Sequence, residues 1–288
     1  MSVIAADRRT LAAQRSASRR SPLRGLRSPR GVVGLVLVSV FVLAGLIPPL
    51  FMTWGPLEQS AHALAPAFSS GHLLGSDEVG RDILARVLGG IRLDVVLVII
   101  AIPISAVLGT LLGTLGAVNE VAGGAAQWVF NVLLGFPGVV LGVVVAIALA
   151  PGRSAVLVAM VLTTIPVFGR QARVTTLAQM SRDYVAAAVI AGTPRWEIVW
   201  RHVLPNVLDS VLVRMSPAVS QAIQLEAALS IVGLGLQPPA PSLGQMIANG
   251  SAYLQVLPTY SLAPVVAVFV AILGLSLIGD AMNDAMLR

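Results

Sequence analysis

Few side chains in this 288-residue chain could carry covalent chemistry. All 19 basic residues are Arg, and Lys is absent. That removes the phosphate-cradling Lys of a Walker A loop, Schiff-base catalysis and Ser-x-x-Lys acylation. With no Cys and three His, thiol catalysis, disulfides, iron–sulfur clusters and Cys-based zinc sites are excluded as well. His62 and His72 have no metal-ligand spacing and read as incidental. Neither Gly-x-Ser-x-Gly nor His-Glu-x-x-His occurs, and no intramembrane Asp pair is expected to converge, so a membrane-embedded hydrolase is unsupported. What remains is non-covalent. Ser210, Arg214, Gln221 and Gln224 recur on one helical stripe of an apolar run, and polar groups at membrane depth should face protein or water. They can offer hydrogen bonds and a positive charge to a passing solute, or they can glue helices together. Glu226 points to a different face from Gln224, because two residues turn a helix by about 200°.

The elements that must hold these residues are membrane helices. A mean hydropathy of +0.87 with 11% charged residues lies outside the range of soluble domains. Six apolar stretches are long enough to count as spans, so the expected fold is all-α and polytopic. They run from Gly31 to about Thr53, Val95 to Val118, about Ala125 to Ala150 with Pro137 inside, Ser154 to Gly169, about Val207 to Leu236, and Ser261 to Gly279. Asn119 to Gly124 reads as a short turn. Residues 1–30 form a basic tail with eight Arg beside one Asp, polar enough to be largely disordered. A cleaved signal peptide competes with a retained first span, but the apolar run exceeds the usual ~7 to 15 residues.

Arg distribution sets the orientation. With the tail inside, the insert 170–206 is also inside and adds Arg170, Arg173, Arg182, Arg195 and Arg201, and Arg288 joins them. The other side holds Arg81, Arg86, Arg92 and Arg153, offset locally by Asp77, Glu78, Asp82 and Asp94. This bias predicts that both termini are cytoplasmic. The Arg residues form no folded basic face with interleaved aromatics, so nucleic acid is not an expected partner.

The insert itself is patterned. The small-residue helix "YVAAAVIAG" should end at Gly192 with a positive φ, and the next helix should start at once with Thr193 as N-cap, Pro194 as first residue and Glu197 in its first turn. Trp196, Val199, Trp200 and Val203 then make one apolar stripe, Arg195, Glu197, Arg201 and His202 take the remaining surface, and Pro205 should end the helix. Periodicity alone leaves two readings open: a docking element for a partner protein, or an interfacial helix on lipid headgroups. In the outer segment 72–93, Asp77 and Arg81, and Asp82 and Arg86, read as i, i+4 pairs on an ordinary helix surface. The segment 233–260 reads as a Gly/Pro-rich external loop with little helical pattern.

Three stretches resemble the dipeptide/oligopeptide branch of ABC-importer permeases. "AAAVIAGTPRWEIVWRHVLPN" resembles their EAA loop, with Ala187, Ala188, Gly192, Leu204 and Pro205 on its positions, Ala186 in place of the Glu and His202 in place of the Ile. "HLLGSDEVGRDILARVLGGIRL" is similar to the branch's outer motif, which carries Asp77, Gly80, Arg81 and Asp82. "EAALSIVGLGLQPPAPSLGQM" resembles its Gly/Pro-rich signature, with Leu243 in place of a Trp. The resemblance spans residues 31–288 and is to the C-type subunit.

It implies a type I ABC-importer transmembrane domain with no cofactor of its own. The expected partners are a B-type permease, two ATP-binding subunits that hold ATP and Mg, an extracytoplasmic substrate-binding protein, membrane lipid and a peptide substrate, in a bacterial cell membrane. On this reading Ala187, Ala188, Gly192 to Glu197, Trp200 to His202, Leu204 and Pro205 couple to the ATPase. Arg214 meets a peptide carboxylate, Gln221 and Gln224 meet backbone amides, Glu226 anchors the external loop, and the outer motif helps build the face where the binding protein docks. Importers of nickel, glutathione or another small solute share these motifs, so the cargo stays open. A channel or secondary transporter would often carry internal repeats, and none is visible.

Overall fold

The computed structural model describes residues 22–46, 54–69 and 71–287, and among them every regular element is helical. A 3-10 helix, Pro22–Arg27, leads into α1 (Pro29–Leu46). The long helices that follow are α2 (Ile83–Val118), α5 (Arg153–Met180), α7 (Leu204–Ile231) and α9 (Pro258–Leu287). Shorter ones are α3 (Glu120–Gly135), α4 (Gly138–Leu149), α6 (Asp183–Ile190) and α8 (Leu243–Ser251). The end of the expected tail is therefore structured: Gly25 is buried against the α9 backbone at Ala281 and Met282. Residues 47–53, where the first span was expected to end, and residues 1–21 lie outside the described residues.

Four helices, α1, α2, α5 and α9, are long and apolar enough to cross a membrane, and α3 with α4 makes a fifth if the bent pair is one span. The fifth expected span, α7, has 28 residues, about 42 Å, and so has the length but not the apolarity. The expected third span is broken, with its halves bent by 96°. Pro137 is the reason. A proline pushes the preceding residue out of the α region, and Phe136 is extended at φ −94°, ψ 138°. Asn119 alone makes the expected turn before α3, its carboxamide accepting from the N–H groups of Val121 and Ala122.

α2 begins twelve residues ahead of the expected boundary, and α5 runs eleven residues past its own, absorbing Arg170 to Met180. Together they form the centre of the bundle. The crossing works because Gly109 and Gly113 meet the α5 backbone at Ile165 and Gly169: a Cβ on Gly109 would lie 2.6 Å from the Ile165 carbonyl oxygen. The same interface carries a small hydroxyl cluster: the Thr164 and Ser105 oxygens lie 2.8 Å apart, and each lies within hydrogen-bond reach of a backbone carbonyl one turn earlier, Met160 and Ala101. α7 packs against α5 and α9, which in turn packs against α1. Residues 54–69 and 71–82 form a cap over one end of the bundle. Three isolated bridges order it (Gln59 with Arg81, Ser69 with His72, Ser76 with Asp82).

Candidate functional site

The insert after α5 folds as a bent rod. α6 ends in a tight cap: Gly192, at φ +79°, donates to the Val189 carbonyl, and the Thr193 N–H donates to Ala188 at 3.0 Å. Ala187 and Ala188 thus matter through their carbonyls, since Ala187 accepts from Ala191. The next turn starts one residue later than expected. Pro194 occupies the N-cap position, Thr193 makes no cap bond, and Arg195–Glu197 is the first turn. It passes into a π-helical stretch, Ile198–Val203, where the Leu204 N–H reaches back to the Val199 carbonyl.

That wide turn has two consequences. Pro205 does not end the helix; the chain runs straight into α7 with Pro205 in its first turn, where its missing N–H is tolerated, and Asn206 supplies a donor to the His202 carbonyl at 2.7 Å. The wider turn also shifts the phase, so the expected apolar stripe divides. Ile198, Val199 and Val203 are buried, while Trp196 and Trp200 stay 68% and 51% exposed, beside Ile190 at 87%. Glu197 and Arg201 pair at 3.3 Å on the open side. Leu204 and His202 are half-buried. The sequence reading missed Tyr184, whose hydroxyl bonds to Gln179 at 2.9 Å and approaches the His202 carbonyl at 3.5 Å, tying α5, α6 and the rod together.

On α7, Arg214, Gln221 and Gln224 share an exposed face with Pro217. Ser210 does not join them: it is buried and bonds to Thr175 of α5 at 3.0 Å. The rest of the circumference of α7 at this level is buried and carries Ala222, Leu225, Glu226 and Leu229. Glu226 is fully enclosed and accepts from Ser230 at 2.7 Å and from Ser242 at 3.0 Å. Ser242 is the N-cap of α8, accepting from the Gln245 N–H, so one carboxylate ties α7 to a helix in a segment that read as irregular. Its neighbour is Asp94, which the sequence reading treated only as a charge offsetting nearby Arg residues. Asp94 is 1% exposed, and neither of its oxygens nor the second oxygen of Glu226 has a donor among the described residues. A buried carboxyl pair therefore exists where none was expected to converge. An acidic residue opening an apolar run was the available signal.

The outer motif is interior, not surface. Asp77 is fully buried and takes Nε of Arg81 at 2.6 Å, the backbone N–H groups of Val79 and Arg81, and the Arg86 guanidinium at 3.4 Å. Gly80, at φ +80°, lets the turn close. Asp82 does not pair with Arg86; it caps α2 through the Ala85 N–H at 2.7 Å and binds Nδ1 of His72 at 2.9 Å. His72 in turn stacks on Trp54, so it is part of the framework. Glu78 reaches across to Asn249 and Tyr260, fastening the cap to α8 and α9.

Comparison with known proteins agrees with this architecture. Residues 101–288 match the family described as the binding-protein-dependent transport system inner membrane component. The di/tripeptide transport system permease protein DppC of Pseudomonas aeruginosa is 31% identical over 260 residues, covering 88% of this chain and 86% of that one. The glutathione transport system permease protein GsiD of Pectobacterium atrosepticum is 34% identical over 219 residues, covering 76% and 73%. The dipeptide permease DppC of Alkalihalophilus pseudofirmus is 29% identical over 262 residues, covering 88% and 84%. The chain belongs to the binding-protein-dependent inner membrane components, the multi-pass permeases of ABC transport systems that work with further permease, ATPase and binding-protein components.

Proposed function

We propose that this chain is the C-type permease of an ATP-driven peptide importer. It supplies half of a translocation path and receives energy through the rod from Gly192 to His202. The observation that carries this is the rod's construction: a backbone-fixed hinge at Gly192, an inner face of Ile198, Val199 and Val203 seated on the bundle, and an outer face of Trp196 and Trp200 left open. Exposed aromatic anchors on a rigid element suit a protein cleft. Because the rod continues into α7 without a break, a displacement of the rod reaches the helix that carries Arg214, Gln221 and Gln224.

The partners on this reading are a B-type permease, two ATPase subunits holding ATP and Mg, and an extracytoplasmic binding protein. Both termini and the rod are cytoplasmic, as the Arg bias favours. α7 is too polar for lipid on its open face, which favours burial of that face against the B-type permease around an aqueous path. Arg214 would meet a peptide carboxylate there, and Gln221 and Gln224 the backbone amides. Asp77, Gly80, Arg81 and Asp82 set the shape of the cap beneath the binding protein without touching it, and Glu226 anchors the α8 segment. The glutathione relative keeps one second reading in play, the same machine with a γ-linked tripeptide as cargo.

The test is Gly192→Val in the assembled complex in proteoliposomes. A β-branched residue at positive φ costs at least about 1–2 kcal/mol, so coupling should weaken roughly tenfold or more while the subunits still assemble. Peptide-stimulated ATPase and uptake that both persist at the wild-type level would refute the coupling role. Competition of labelled dipeptide uptake by glutathione separates the two cargo readings.

A further inference from the structure

A cavity of about 590 Å³ opens at the end of the bundle where α1 finishes, and two of its residues are Arg92 of α2 and Arg153, the first residue of α5. Both are exposed, and neither pairs with a carboxylate among the described residues. Among the described residues the one acid on the cavity wall is Glu58, which accepts from the Gly55 N–H at 2.8 Å. Leu88, Leu93 and Pro241 supply an apolar part of the wall. The depth is fixed by packing: Gly45, sixteen residues or about 24 Å along α1 from Pro29, abuts Ile91 and the Arg92 backbone, so Arg92 lies near one hydrocarbon thickness from the start of that helix. Trp54, on the same wall, is the residue type that favours this level.

We propose that this cavity binds the phosphate headgroup of an anionic membrane phospholipid. Two free guanidiniums at headgroup depth match a phosphodiester, to which Arg donates in a bidentate fork, and the apolar wall accommodates the glycerol and the first methylenes. The volume is that of a small-ligand site. A free phosphate has no use for the apolar wall. A peptide carboxylate is the other anion such a pair could take, but no residue of α7 lines the cavity, which places it away from the polar stripe. The inference rests only on the chain's spanning a membrane, and it survives failure of the peptide-import reading.

The experiment is lipid retention by the assembled transporter, purified from mixed vesicles of phosphatidylglycerol and phosphatidylcholine and followed by native mass spectrometry. The wild type should keep phosphatidylglycerol in preference by at least fivefold. Arg92→Gln with Arg153→Gln should erase the preference, and Arg92→Lys with Arg153→Lys should keep part of it. Because both side chains are exposed and unpaired, the variants should assemble normally, which the same spectra report. No preference in the wild type, or an undiminished one in the Gln pair, overturns the proposal. Displacement of the retained lipid by inorganic phosphate, or by a dipeptide, at millimolar concentration would also overturn it, by assigning the pair to a free anion or to cargo.

Discussion

Asp77 shows how far a residue's environment can depart from its sequence context. Spaced four residues before Arg81, it reads as half of an exposed helix pair worth about 0.3 kcal/mol. Buried, it is the shared counter-ion of Arg81 and Arg86. Asp77→Ala would strand the buried Arg86 and should cost about 3–5 kcal/mol, read as a loss of melting temperature or of assembled complex. Asp82→Ala removes a helix cap and the His72 partner and should also destabilise the complex, by roughly 1 kcal/mol for the cap alone. Changes within about 0.5 kcal/mol for both would instead place the two residues on an ordinary surface. Asp94 is the opposite case, a buried carboxyl beside another with no donor of its own. Asp94→Asn gives Glu226 an amide donor at the same volume, so the complex should melt no lower than wild type, whereas Asp94→Leu should melt lower. An Asn variant as unstable as the Leu variant would show that the pair is held by something else. Spacing showed Arg81 as a partner of Asp77, but not Arg86, His72 or Glu226, which lie 9, 10 and 132 positions from Asp77, Asp82 and Asp94. The cap of α6 was legible, since Gly192 has one backbone task that the local sequence fully specifies.

At the scale of elements, the apolar runs located the spans but not their ends. α2 starts at Ile83 because Asp82 caps it, and its early charges Arg86 and Asp94 are buried, so they continue the helix without facing lipid. The rod and α7 form one piece because a π-turn admits Pro205, a backbone adjustment that no side-chain period announces. Pro137, by contrast, broke its helix, and α8 formed within a segment rich in Gly and Pro because Ser242 caps it. The stripe on α7 yields a direct prediction. The chain has no Cys, so single Cys substitutions have a clean background. In the assembled transporter, Gln221→Cys and Gln224→Cys should react with a membrane-impermeant thiol reagent at rates that change when ATP is trapped, while Val266→Cys, on the exposed apolar face of α9, should stay inert. Unreactive Gln positions in every nucleotide state would make the stripe a dry helix–helix contact.

For the whole molecule, the sequence reading identified a permease from three separated motifs, and the family match over residues 101–288 agrees with it. The isolated fold leaves two surfaces open: the Trp196 and Trp200 face of the rod, and the polar stripe of α7. They are joined by a continuous helix, which is the physical basis for converting a movement at one into a change at the other. On the proposed reading, energy reaches this chain by contact at the rod, since it has no Lys for a nucleotide loop. The most direct test places a photo-crosslinking amino acid at position 196 in the assembled transporter in its native membrane. The account predicts a crosslink to an ATP-binding subunit whose yield changes between nucleotide-free and ATP-trapped states; adducts with lipid alone, or with the extracytoplasmic binding protein, would contradict it.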